Sequence, residues 1–115
     1  MERVLIIEDN KSIRFFISEY LIEAGYEVKE AQDGEEGIEL LKDDNNFKAV
    51  ITDIRMPKKD GNEVAAYMRH SLKSKAIPVV AITGFIDDAN RELFDCLLVK
   101  PFKMKALLKV IDSFQ

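Results

Sequence analysis

The sequence predicts a single α/β domain, a doubly wound sheet of five parallel strands with helices on both faces. Three observations carry this expectation. Short apolar runs alternate with helical patterns along the whole chain. Charged, glycine or proline residues bound each run, as they bound buried strands. The 115 residues suffice for one core and not for two.

The elements follow in order. "RVLIIE" (3–8) is the first strand. Over 12–25, Ile13, Phe16, Ile17, Tyr20, Leu21 and Ala24 recur at helical spacing, and Gly25 suits the C-terminal cap. "YEVKEA" (26–31) sends Tyr26, Val28 and Glu30 one way and Glu27 and Lys29 the other. It is more polar than the other strands and belongs at a sheet edge. "DGEEGIELLKDDNN" opens with acids and closes in an asparagine turn, which predicts a helix over 34–44. "KAVIT" (48–52) is the third strand and "GNEVAAYMRHSLKS" (61–74) the third helix. "IPVVAIT" (77–83) and "LLV" (97–99) complete the strands. "MKALLKVIDSF" gives a last helix with Met104, Leu107, Leu108 and Ile111 on one side.

Repeated strand–helix alternation implies a parallel sheet. Right-handed crossovers then favour the flavodoxin-like order 2-1-3-4-5, which agrees with an edge position for the second strand. The stretch "GFIDDANRELFDCLLV" (84–99) must supply a loop, a helix and a strand. A crossover with its helix needs roughly 10–12 residues. The fourth helix is therefore expected to be short, irregular or missing.

Composition narrows the function. Apolar residues make up 47%, charged residues 33%, and the net charge is −4. That balance argues against a dedicated nucleic-acid binder. No apolar run approaches membrane-spanning length, and the run in "MERVLIIEDN" is too short for a signal peptide. The single cysteine, Cys96, excludes an internal disulfide. A cytoplasmic protein is expected, a single domain over 1–115 without an effector domain.

Polar residues collect at the predicted strand ends. The first strand ends in Glu8-Asp9, the third in Asp53, the fourth in Thr83 and the fifth in Lys100. In a parallel sheet these ends share one edge, where ligands of such folds bind. Crowded carboxylates repel one another unless a cation sits among them. Oxygen ligands without His or Cys favour a hard ion, Mg²⁺ or Mn²⁺. A hydroxyl and an ammonium suit phosphoryl oxygens, and a carboxylate can itself form an aspartyl phosphate. Asp53, on a central strand, is the best nucleophile. Each residue alone has a plainer reading: Glu8-Asp9 as helix caps, Asp53 as a turn residue, Thr83 as loop chemistry, Lys100 as a solvated side chain. Five on one edge are far less expected by accident. His70 reads as a surface residue, Cys96 as a small core residue, and lysines 103, 105 and 109 as a solvated face.

These motifs, "LIIEDN", "ITDIRMPKKDG", "AITG" and "VKPF", resemble those of response regulator receiver domains across the whole chain. The resemblance implies a phosphoacceptor of two-component signalling and no enzyme activity beyond turning over its own phosphate. It implies that Asp9 holds Mg²⁺ directly and Glu8 through water, with the backbone carbonyl of Arg55 as a further ligand. Asp53 would accept a phosphoryl group from a histidine kinase or histidine phosphotransfer protein. Thr83 would bind a phosphoryl oxygen, and Lys100 would pair with Asp53 before transfer and with the phosphoryl group after it. The Lys100–Pro101 peptide is expected to be cis, and Tyr20 with the exposed side of the first helix to meet the donor.

The chain departs from that family at Leu97, where an aromatic switch residue is usual three positions before the lysine. Phe85, Phe94 and Phe102 are the neighbouring rings. The alternative is a degenerate receiver that serves as an interaction module. An aspartyl-phosphate hydrolase of the haloacid dehalogenase type is disfavoured, because Asp53-Ile54-Arg55 lacks its second acid. A flavodoxin-type cofactor binder is disfavoured because Glu8 and Asp9 stand where its phosphate loop would be.

Overall fold

A computed structural model describes residues 1–71 and 77–115. Its strands are β1 (Arg3–Ile7), β2 (Glu27–Ala31), β3 (Ala49–Asp53), β4 (Val79–Thr83) and β5 (Cys96–Val99). They form one parallel sheet in the order β2-β1-β3-β4-β5, as expected. The α-helices among the described residues are α1 (Lys11–Glu23), α2 (Gly34–Asp43), α3 (Gly61–His70) and α4 (Met104–Ser113). The sequence pattern for the third helix runs on to 74, and its last positions, 72–74, lie outside the described residues.

The period-two alternation of the strands divides the core into two layers. Val4, Ile6, Ile51, Val80 and Ile82 pack with Ile17 and Leu21 of α1 and with Leu107 and Ile111 of α4. Leu5, Ile7, Val50 and Val79 pack on the other face with Ile38 and Leu41 of α2 and with Val64 and Met68 of α3. Each fully buried Ile or Leu contributes roughly 1.5–3 kcal/mol. The β2 edge is fastened where Tyr26 donates its hydroxyl to Asp112 Oδ1 of α4 at 2.5 Å. Cys96 packs half-buried against the α1–α4 layer, and His70 is exposed, both as expected.

Helix α1 buries a narrower stripe than its periodicity predicts. Ile17, Ser18 and Leu21 are buried, whereas Phe16 is 62% exposed and Ile13 and Ala24 are exposed as well. The helix packs on β1, β2 and α4, and only the positions that face them are buried. Gly25 closes it at φ 105°, in the left-handed region that favours glycine.

The expected loss of the fourth crossover helix is found. Residues 84–95 form a strap with two short 3₁₀ turns, Ile86–Asp88 and Arg91–Leu93. The sixteen-residue span leaves no room for a full helix once β5 has been extended.

The helix starts are set by side-chain caps at the C-terminal edge of the sheet. Asn10, Asp33 and Asp60 accept hydrogen bonds from the amides of Ile13, Glu36 and Glu63. Asp60 and Glu63 form a reciprocal capping box. Gly61 begins α3 so close to β3 that an added Cβ would stand 2.2 Å from the Asp53 carbonyl oxygen. Gly61→Ala is therefore expected to lower stability by about 1–3 kcal/mol in urea unfolding. Gly84, whose Cβ position is open, should accept alanine within about 1 kcal/mol. Equal effects at both positions would contradict this packing.

Candidate functional site

The topology brings Glu8, Asp9, Asp53, Thr83 and Lys100 to one edge of the sheet. Glu8 follows β1, Asp53 ends β3, Thr83 ends β4 and Lys100 follows β5. Ligand oxygens of Glu8, Asp9 and Asp53 lie within 4.8 Å of one another. Glu8 and Asp53 are buried and Asp9 is exposed. The plainer reading of the two acids as helix caps fails, because Asn10 caps α1 and leaves both free.

Each side chain is held by its local chain. The Glu8 carbonyl accepts from Arg14 Nη1 at 2.7 Å, and Arg14 is paired with Glu30 at 3.1 Å. Glu8 Oε2 accepts from the Asn10 amide at 3.1 Å, which leaves Oε1 without a hydrogen-bond partner. Asp53 Oδ1 accepts from the Ile54 amide at 2.7 Å, and Oδ2 accepts from Lys100 Nζ at 2.9 Å. Lys100 Nζ also stands 3.6 Å from Glu8 Oε1. The Lys100–Pro101 peptide is cis, as expected. The Lys100 amide binds the Thr83 carbonyl at 2.8 Å, while Thr83 Oγ1 accepts from the Phe85 amide at 2.9 Å.

The electrostatics fit a cation site. Burial pushes the Glu8 carboxyl up to about 7, and the Asp53 charge and the Asp9 side chain add to the rise. The Asn10 amide and the Lys100 charge oppose it. Burial tends to lower Lys100, but the hydrogen bond to Asp53 and the charges of Asp53 and Glu8 outweigh it and raise the ammonium. An orphaned buried carboxylate oxygen within a triad of acids is what a hard cation would complete. Among the described residues no His or Cys joins the group.

The five residues expected at the strand ends do share one edge, because a parallel sheet collects its strand ends. Sequence reasoning missed Arg14, which fixes the Glu8 turn, and the side-chain tie from Arg55. That guanidinium pairs with Asp88 and stacks on the Phe85 ring. A lone Arg in a charged loop gives no signal of either partner. Leu97 lies half-buried on β5, with no ring or hydroxyl to offer. The lysines at 103, 105 and 109 are exposed, as expected.

A pH test follows from Glu8. Its folded pKa is raised above the ordinary carboxylate value. Its contribution to stability is therefore fully present below that ordinary value and is lost as pH rises through about 7. In chelator-treated protein, wild type should lose stability relative to Glu8→Gln between pH 5 and 8, as read from urea midpoints. Parallel curves would refute the burial effect.

The comparisons agree with this geometry. The family model for the response regulator receiver domain matches residues 4–112. The chain is 33% identical over a 122-residue alignment to the transcriptional regulatory protein SrrA of Staphylococcus aureus, covering 96% of this chain and 49% of that protein. It thus spans about half the length of the curated relatives it matches. The structure is similar to response regulator TrrA of Thermotoga maritima, solved in complex with Mg²⁺ and BeF, with a TM-score of 0.88, 32% identity and 98% of each chain covered. It is also similar to chemotaxis protein CheY4 of Vibrio cholerae, with a TM-score of 0.86, 30% identity, and 100% and 99% covered. The acidic pocket of Glu8, Asp9 and Asp53 fits a Mg²⁺ and aspartyl phosphate site. The chain belongs to the response regulator receiver domain family of two-component signalling.

Proposed function

We propose that this receiver takes a phosphoryl group on Asp53 from a phosphohistidine of a histidine kinase or histidine phosphotransfer protein. The observation that carries this reading is the Lys100 ammonium lying 2.9 Å from Asp53, beside the triad of acids. Glu8, Asp9, Asp53 and the Arg55 carbonyl are the residues to hold Mg²⁺ or Mn²⁺. When bound, the metal supplies positive charge that screens the acids and attracts phosphoryl oxygens.

The residues then divide the work. Lys100 and the Ile54 amide orient the Asp53 carboxylate. An Asp53 oxygen forms the new O–P bond as the P–N bond to the donor imidazole breaks, and that bond pair leaves with the nitrogen. Lys100 passes from the carboxylate to the phosphoryl oxygens, and the Thr83 hydroxyl donates to one of them. The negative charge gained at Asp53 shifts an existing inactive–active equilibrium. The alternative of a degenerate interaction module, motivated by Leu97 and the short 84–99 segment, gains no support from the family match or the similar structures.

The donor's docking face is supported by exposure. Ile13, Phe15 and Phe16 stand on the open side of α1. A cleft of about 300 Å³ runs from Ile13 and Phe16 to Lys100, Pro101 and Phe102. It joins an apolar surface to the proposed reacting centre.

Wild type should incorporate phosphate from a low-molecular-weight phosphodonor only with Mg²⁺, and Asp53→Ala should incorporate none, by intact mass. Lys100→Ala should slow labelling by about a hundredfold. Unlabelled wild type under these conditions would end the reading. Phe16→Ala should cut transfer from a protein phosphodonor by about tenfold and leave labelling by the small donor unchanged. Equal losses with both donors would remove the docking role.

A further inference from the structure

The strap that stands in for a fourth crossover helix is fastened to the loop after Asp53 by side chains. Arg55, two residues beyond Asp53, places its guanidinium 3.5 Å from the centroid of the Phe85 ring. The same guanidinium pairs with the Asp88 carboxylate. Asn62, in the first turn of α3, donates to the Asp88 carbonyl at 2.7 Å and accepts from the Asn90 amide at 2.8 Å.

Little else holds this part of the strap. Neither 3₁₀ turn contains a buried residue. The backbone hydrogen bonds of Asp88, Ala89, Leu93 and Phe94 are local, each reaching back three residues. Phe85 is 53% exposed even with Arg55 against its ring. Few buried contacts and solvent-facing hydrogen bonds mark the low-stability end of a fold. The strap therefore responds to any change at its ties.

Two of those ties start from residues of the proposed phosphorylation site's edge, Arg55 after β3 and Thr83 at the end of β4. The Arg55 side chain is 59% exposed and now satisfied by a single carboxylate. A phosphoryl group brings close to two negative charges and three acceptor oxygens, which a planar guanidinium fork matches better. The strap's other end begins at the Phe85 amide, which donates to the Thr83 hydroxyl. The hydroxyl that would donate to a phosphoryl oxygen is thus the one that holds the start of the strap.

We propose that Arg55 is a charge-operated latch, which holds strap residues 85–90 through Phe85 and Asp88 while Asp53 is unmodified and releases them when a phosphoryl group on Asp53 competes for the guanidinium. The inference rests on the phosphoacceptor reading of Asp53. It makes Phe85 the aromatic reporter of the site, in a chain where Leu97 provides none.

The test is amide hydrogen exchange at Phe85, Asp88, Ala89 and Asn90 in the full chain, with and without Mg²⁺ and beryllofluoride, a phosphoryl mimic. Fluorine NMR of the same samples reports whether the mimic is bound. In wild type the mimic should speed exchange at these amides by about tenfold, the combined worth of one exposed ion pair and one cation–π contact. Arg55→Ala and Asp88→Asn should each exchange faster without the mimic and respond little to it. Arg55→Lys, which keeps the charge and loses the planar stack, should fall between. Bound mimic with unchanged exchange in wild type overturns the latch and leaves the phosphoacceptor reading intact. Exchange in both Arg55→Ala and Asp88→Asn equal to that of free wild type also overturns it. Absence of a bound fluorine signal overturns the phosphoacceptor reading and the latch with it.

Discussion

One ammonium holds the functional edge of this fold together. Lys100 Nζ lies 2.9 Å from Asp53 and 3.6 Å from Glu8, and both acids are buried, Glu8 the more completely. Two buried acids this close cannot both stay charged without compensation. Lys100 supplies part of it, and burial, with the Asp53 charge adding to it, raises the Glu8 carboxyl. The ammonium can reach both acids only if β5 lies beside β4, β4 beside β3 and β3 beside β1, all parallel. The strand order thus serves the site as well as the core.

The rest of the edge is arranged around that contact. Asn10 takes the capping duty on α1, so neither Glu8 nor Asp9 is used up by the helix. Gly61 lets α3 begin against the Asp53 carbonyl. Arg14 anchors the turn that carries Glu8. These are inexpensive local devices, each a single hydrogen bond or a missing Cβ. Together they fix three acids within the span of one cation's ligands.

The opposite character belongs to the strap. The short fourth crossover holds two 3₁₀ turns in place of a packed helix, and Phe85 before them and Val99 after them are exposed. Leu93 and Phe94 still reach the α2–α3 layer, so the strap's second half stays fastened to the core. The site and the exposed strap lie side by side at one edge of the sheet, joined at Thr83. That adjacency lets a change of charge at the site be felt in the strap.

The sequence by itself determined the element order, the edge position of β2, the lost helix and the gathering of five polar residues at one sheet edge. These are properties of period, length and strand-end position, and each is written locally in the chain. It overstated the buried face of α1, because Phe16 and Ile17 both satisfy helical spacing and only packing separates a residue over the sheet from one beside it. Only the tertiary structure decided which acid loses its water, which cap spares the acids, and where Arg55 points. Those outcomes depend on contacts between residues as far apart as Arg55 and Asp88, or Glu8 and Lys100. Pattern along a chain does not encode distance across a sheet edge, and electrostatic interaction is set by that distance.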